Sequence, residues 1–164
     1  MHTVEVLGIR LDEAGNSPIL LLQELGGNER VMEIWIGAVE AGAIAFAEQG
    51  VTPPRPLTHD LLLDCLNAAG VSITHVRITG MKEGVFLAEI VLTNGEVVSA
   101  RPSDAVAVAL RAAVPILASE ELLDLVGVVV PEEATETSSE DEIEAFREFL
   151  DDLKPEDFGS NDEN

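Results

Sequence analysis

The chain has 164 residues and a mass of 17.5 kDa, room for one ordinary domain and a tail but not for two full domains. Apolar residues make up 46% of it, which supplies a core and excludes a wholly disordered chain. Its 9 Lys and Arg against 31 Asp and Glu give a net charge of −22, a sign that repels phosphate backbones and anionic membranes.

The acids are unevenly spread. Beyond Pro131 there are 14 of them against Arg147 and Lys154 alone, and the bases of residues 1–130 are all arginine except Lys82. The reading is therefore a domain over residues 1–130 and an acidic tail over 131–164. One cysteine, Cys65, cannot make an internal disulfide or a cysteine zinc cage, which points to a reducing compartment. The opening Met1-His2-Thr3-Val4-Glu5-Val6 lacks a signal-peptide layout, and no run approaches the ~18 apolar residues of a membrane span. A cytoplasmic protein with no membrane partner is expected.

In chain order, Thr3–Leu11 alternates as a strand, Asp12–Pro18 is turn chemistry, and Ile19–Leu22 resumes as a second strand. A turn at Gly26–Glu29 leads into a third strand over Arg30–Ile36. Ala38–Gln49 has helical composition and Gly50 closes it. The connector Thr52-Pro53-Pro54-Arg55-Pro56 cannot be helix interior. A second helix follows, with Thr58 as its N-cap, a staple from Leu57 to Leu62, an apolar face of Leu61, Leu62, Cys65, Leu66 and Ala69, and an end at Gly70.

Val71–Thr79, Val85–Thr93 and Glu96–Ala100 read as strands. Lys82-Glu83-Gly84 joins the first two and a two-residue Asn94-Gly95 turn the last two. A third helix runs from Ser103-Asp104 through Ala113; Ala105–Leu110 is apolar all round, so it should be buried on most sides. Ser119–Leu125 reads as a short helix and Gly127–Val130 as an extended end. In the tail, Ile143, Phe146, Phe149, Leu150 and Leu153 fall at helical spacing, predicting an acidic amphipathic helix at about 140–154. Strands, helices, strands and a helix fit an α+β fold with helices packed on a mixed or antiparallel sheet.

Two segments share a grammar: Arg55-Pro56-Leu57-Thr58-His59-Asp60 and Arg101-Pro102-Ser103-Asp104 each place an arginine and a proline before an aspartate in a helix's first turn. Helix capping explains proline, Thr58, Ser103 and aspartate there without any function. The arginines need more, because a cation before an apolar helix requires a carboxylate or an anionic ligand. Glu40 is the one ionisable group in Ile34–Ile44, so it is either paired with an arginine or exposed in a cleft. Arg111 lies seven positions after Asp104, on the same helix face. His59 beside Asp60 reads as a general base, a metal ligand or a surface histidine. No HExxH, P-loop or nucleophile-elbow pattern is present, and Cys65 and Ser103 look structural.

Taken in order, Ile34-Trp35-Ile36-Gly37 with Glu40-Ala41, then Arg55–Leu61, then Ala100–Ala105 with Ala109-Leu110-Arg111 resemble the bifunctional nuclease domain family over roughly residues 1–130. The resemblance implies a compact, often oligomeric α+β domain and, for some members, degradation of DNA and RNA. The sequence departs from the family where members commonly carry an aspartate just before the Ala-Arg-Pro-Ser-Asp motif; here it is Ser99.

Two functions follow. As a phosphodiesterase acting on RNA or DNA, Glu40, Asp60 and Asp104 would hold Mg²⁺ or Mn²⁺ and His59 would activate water. Arg55, Arg101 and Arg111, with Thr58 and Ser103, would bind the phosphate. As a non-catalytic module, the same arginines would pair with the carboxylates to pin the helix starts, and function would lie in a homo-oligomer, a bound ligand, or a basic partner of the acidic tail. The acidic body and the lack of a lysine stripe or aromatic platform count against a long nucleic-acid track.

Overall fold

The computed structural model describes residues 1–12 and 17–129. Among them the chain forms eight strands and four helices, an α+β fold. The strands are β1 (His2–Leu11), β2 (Pro18–Glu24), β3 (Arg30–Trp35), β4 (Ile73–Lys82), β5 (Val85–Leu92), β6 (Val97–Ala100), β7 (Ile116–Ala118) and β8 (Val128–Val129). The helices are α1 (Ala38–Glu48), α2 (Thr58–Ala68), α3 (Pro102–Ala112) and α4 (Glu120–Val126). The tail helix expected at about 140–154 lies outside the described residues.

The strands make one mixed sheet in the order β6-β5-β4-β7-β1-β2-β3-β8, antiparallel except where β4 and β7 run parallel. β7 was not expected from the sequence: Ile116-Leu117-Ala118 is too short to show alternation. It nevertheless joins the two meanders, pairing with β1 on one side and β4 on the other.

Period-2 alternation puts Leu20, Leu22, Met32, Ile34, Val76 and Ile78 in one core cluster with Ala105–Ala109 of α3. As its all-apolar sequence requires, α3 is buried around its circumference; it packs on β4 and β5 and is flanked by α1 and α2. Both of its ends therefore open onto neighbouring helices.

Four local expectations need correction. The cap of α2 is Leu57, extended at φ −76° and ψ 176°, and Thr58 is the first helical residue. Asp60 two residues further on supplies the cap instead, its Oδ2 accepting from the Leu57 N–H at 2.9 Å. Likewise Arg101 caps α3, with Pro102 at the first helical position that proline prefers and Ser103 inside the first turn.

The β5–β6 link is a three-residue loop, Thr93-Asn94-Gly95. Gly95 has φ +87°, the Leu92 N–H donates to Glu96 O at 2.9 Å, and the Gly95 N–H donates to Leu92 O at 3.0 Å. The true two-residue turn is Glu83-Gly84, where both φ values are positive, +53° and +80°.

Most of the expected apolar face of α2 also points the other way: Leu61 and Leu62 are exposed, as is Cys65, while Leu66 packs on the core as expected and Leu63 joins it there. His59 and Asp60 fix the rotation of this helix, because both reach across to α3. Residues one and two turns on from them, 63 and 66, must then face inward.

Candidate functional site

Glu40, Asp60 and Asp104 occupy the same position, the third residue, in α1, α2 and α3. Each sits at the positive end of its helix, where a carboxylate is favoured by ~0.3–1 kcal/mol. The fold brings these helix starts together around two guanidinium groups, one from each end of α3.

The first is Arg101. Its Nε donates to Asp104 Oδ2 at 2.7 Å, and its Nη2 contacts Asp104 Oδ1 at 3.0 Å and Glu40 Oε1 at 2.9 Å. The side chain is nevertheless 65% exposed, so its remaining nitrogen, Nη1, is available to solvent or an anion. His59 Nε2 lies 3.2 Å from Asp104 Oδ1, and the imidazole is only 14% exposed. Burial alone would raise the Asp104 carboxyl, but the hydrogen bonds from Arg101 and His59 outweigh it and hold the group below its ordinary range. The Asp104 contact, opposed by burial and aided by Glu40, raises Arg101 above the usual arginine value.

The second is Arg111, nearly buried, whose Nε donates to Asp60 Oδ1 at 2.7 Å and whose Nη1 donates to Ala107 O at 2.9 Å. Because Asp60 also caps α2, both its oxygens are engaged. Arg55 is exposed and makes no ion pair among the described residues; Thr58 is exposed at the start of α2, and Ser103 is buried in the first turn of α3.

Of the residues expected to form a site, Glu40, His59, Asp60, Arg101, Asp104 and Arg111 are joined by these contacts, and Arg55, Thr58 and Ser103 are not part of them. The carboxylates of Glu40, Asp60 and Asp104 are turned onto arginines rather than onto one another, and no three His, Cys, Asp or Glu among the described residues are grouped to hold a metal ion. This donor arrangement does not fit the Mg²⁺ or Mn²⁺ site that the sequence suggested.

Two features escaped sequence reasoning. Gly37 was noted only as part of a motif, yet it lies directly against the Glu40 carboxylate. A second charged centre also lies in the core: Arg30 forks onto Glu24 at 2.8 and 2.9 Å and reaches Asp124 at 2.5 Å, while His2 Nδ1 is 2.9 Å from Glu24. The Arg30 hydrogen bond, opposed by burial, brings Glu24 down to about 2. The only sequence signal was an acid and an arginine at the facing ends of two largely apolar strands.

An α+β domain whose three helix starts meet at an arginine–carboxylate–histidine cluster agrees with what a family comparison finds. The chain belongs to the bifunctional nuclease domain family, whose model matches residues 20–131. That span includes every site residue named above. The chain is also 50% identical over 162 residues to uncharacterized proteins of Mycobacterium tuberculosis strains CDC 1551 / Oshkosh and ATCC 25618 / H37Rv, covering 96% of this chain and 98% of each relative. No helix among the described residues is long and apolar enough to cross a membrane.

Proposed function

We propose that this domain hydrolyses phosphodiester bonds in RNA and DNA at the His59–Asp104–Arg101 cluster. The observation that carries this reading is the His59–Asp104 contact beside a half-free arginine. A carboxylate held ionised by Arg101 orients the imidazole. In the tautomer that donates from Nε2 to Asp104, Nδ1 keeps the lone pair that accepts a proton.

In the proposed reaction Arg101 Nη1 binds a non-bridging phosphate oxygen and stabilises the charge that builds on it. His59 removes a proton from water as the water oxygen bonds to phosphorus; the phosphorus–oxygen bond to the departing sugar breaks, and that oxygen takes a proton from solvent. Arg55, exposed on the connector before α2 and without an ion pair among the described residues, would serve as a second contact to a neighbouring phosphate of the same strand. Membership of the bifunctional nuclease domain family supports the substrate class. The net charge of −22 favours short single strands over long duplexes, since only local arginines offset the body's repulsion.

A second reading rests on a specific observation: Glu40 and Asp104 are paired with Arg101, and Asp60 with Arg111. Those pairs would equally pin the helix starts of a non-catalytic, oligomeric interaction module. The two are separated by assaying wild type and His59→Ala, purified identically, on short single-stranded RNA and DNA with Mg²⁺, with Mn²⁺ and with chelator. Hydrolysis in the wild type and a loss of roughly 10²–10⁴-fold in the variant are expected. Equal rates in the two proteins would leave the interaction module.

A further inference from the structure

The Ile34-Trp35-Ile36-Gly37 motif and Glu40 are adjacent in sequence, and the structure shows a reason for the pairing. Gly37 is the cap of α1 at φ −75° and ψ 157°, a conformation open to any residue, so the backbone does not demand glycine. A Cβ there would instead force the Glu40 carboxylate to move. Glu40 folds back over the helix start: its Oε1 meets Arg101 Nη2 at 2.9 Å, and its other oxygen, Oε2, fills the place a Gly37 Cβ would take. Such a Cβ would overlap Oε2 and lie 3.1 Å from the carboxyl carbon.

We infer that Gly37 and Glu40 act together as a positioning device for Arg101, the absent Cβ forming the slot that lets the Glu40 carboxylate hold the guanidinium. This deepens the proposed function and rests on Arg101 being the phosphate contact. Glu40 is a positioning residue here: it acts on Nη2, the nitrogen that together with Nε forms the edge held by Asp104, so that Asp104 and Glu40 share Nη2 and Nη1 takes part in neither contact. With Asp104 alone, the guanidinium keeps its contact but loses the partner on α1 that fixes its angle. Misplacement of this kind costs up to ~10²-fold in rate.

The steric origin gives the test. In the full chain, Gly37→Ala and Glu40→Ala should each raise KM for a short oligonucleotide about tenfold or more and lower kcat as well, as expected for an arginine that both binds the phosphate and stabilises its developing charge. In a Glu40→Ala background Gly37→Ala should add nothing in that assay, because no carboxylate remains to collide with. In a Glu40→Gln background it should still cost, because the amide occupies the same volume. Any intrinsic penalty for alanine at the cap is a small effect on stability, is the same in all three backgrounds, and cancels in the comparison.

A readout independent of turnover is the side-chain ¹⁵N spectrum of Arg101, assigned with Arg101→Lys. Resolved Nη signals are expected in the wild type, merging in Gly37→Ala and in Glu40→Ala. If the wild type hydrolyses nothing but this spectral pattern holds, the positioning device stands and the nuclease reading falls. Resolved Arg101 signals in Gly37→Ala, or an equal KM effect of Gly37→Ala in every background, would overturn the inference.

Discussion

Asp60 offers the sharpest test of what the cluster is for, because its carboxylate is already committed twice. Asp60→Ala removes the partner of Arg111 Nε, leaving a guanidinium that is 9% exposed with Ala107 O as its remaining contact. Breaking a fully buried pair costs ~3–5 kcal/mol, but Asp60 is 30% exposed, so water can reach the vacated place and the lower end applies, ~2–3 kcal/mol. The Leu57 N–H loses its acceptor as well, worth ~1 kcal/mol. The sum is about 3–4 kcal/mol. With a urea slope of ~1–3 kcal/mol per molar, the unfolding midpoint followed by far-ultraviolet circular dichroism should fall by at least roughly 1 M. Asp60→Ala combined with Arg111→Met should be more stable than Asp60→Ala alone, since no charge is then stranded. A midpoint for Asp60→Ala within about 0.3 M of wild type would refute the tether and free this carboxylate for a role in the chemistry.

The Glu24–Arg30 pair should give acid sensitivity of a defined sign. Because the folded carboxyl is depressed to about 2 from an ordinary 4.5, its stabilisation is complete above about 4.5 and is lost as pH falls through about 2. Urea midpoints measured from pH 5 down to pH 2 should therefore fall more steeply in the wild type than in Glu24→Gln; parallel slopes would contradict the assignment. Salt should act on substrate binding in the direction opposite to that of a basic-groove nuclease. Repulsion from the acidic body is long-range and is screened beyond ~10 Å at 0.1 M, whereas contact with Arg101 is not. KM should fall or stay level between 10 and 100 mM salt, and a steep rise would show that other cations carry the binding.

Most of the fold was legible because strong local signals agreed with the tertiary answer. Alternation in Thr3–Leu11, the Gly50 stop and the all-apolar Ala105–Leu110 each allow one sensible placement, and the structure uses it. The failures have identifiable competitors. β7 was invisible because three residues carry no period, and its strand character comes from two neighbours that the local sequence does not encode. The apolar face of α2 was misread at Leu61, Leu62 and Cys65, though not at Leu66, because hydrophobic periodicity lost to two polar tethers, His59 to Asp104 and Asp60 to Arg111. Thr58 and Ser103 were misread as caps because the residues before them, Leu57 and Arg101, have no side-chain signature of a cap; the capping oxygen of α2 comes from Asp60, inside the helix.

The same ambiguity runs through the candidate site, and α3 resolves it. An acid at the third position of a helix is sufficiently explained by that helix alone, so Glu40, Asp60 and Asp104 each looked local in the sequence. What local capping does not require is that both guanidinium groups come from the two ends of one buried helix. A helix apolar on every side can bear charge only at its termini, and there Arg101 and Arg111 reach the helices on either flank. The difference between the two ends then separates their roles. Arg111 is nearly buried with its carboxylate fully engaged, which is how a brace is built. Arg101 is 65% exposed beside a histidine and its Nη1 has no partner among the described residues, which fits the phosphate contact proposed for it.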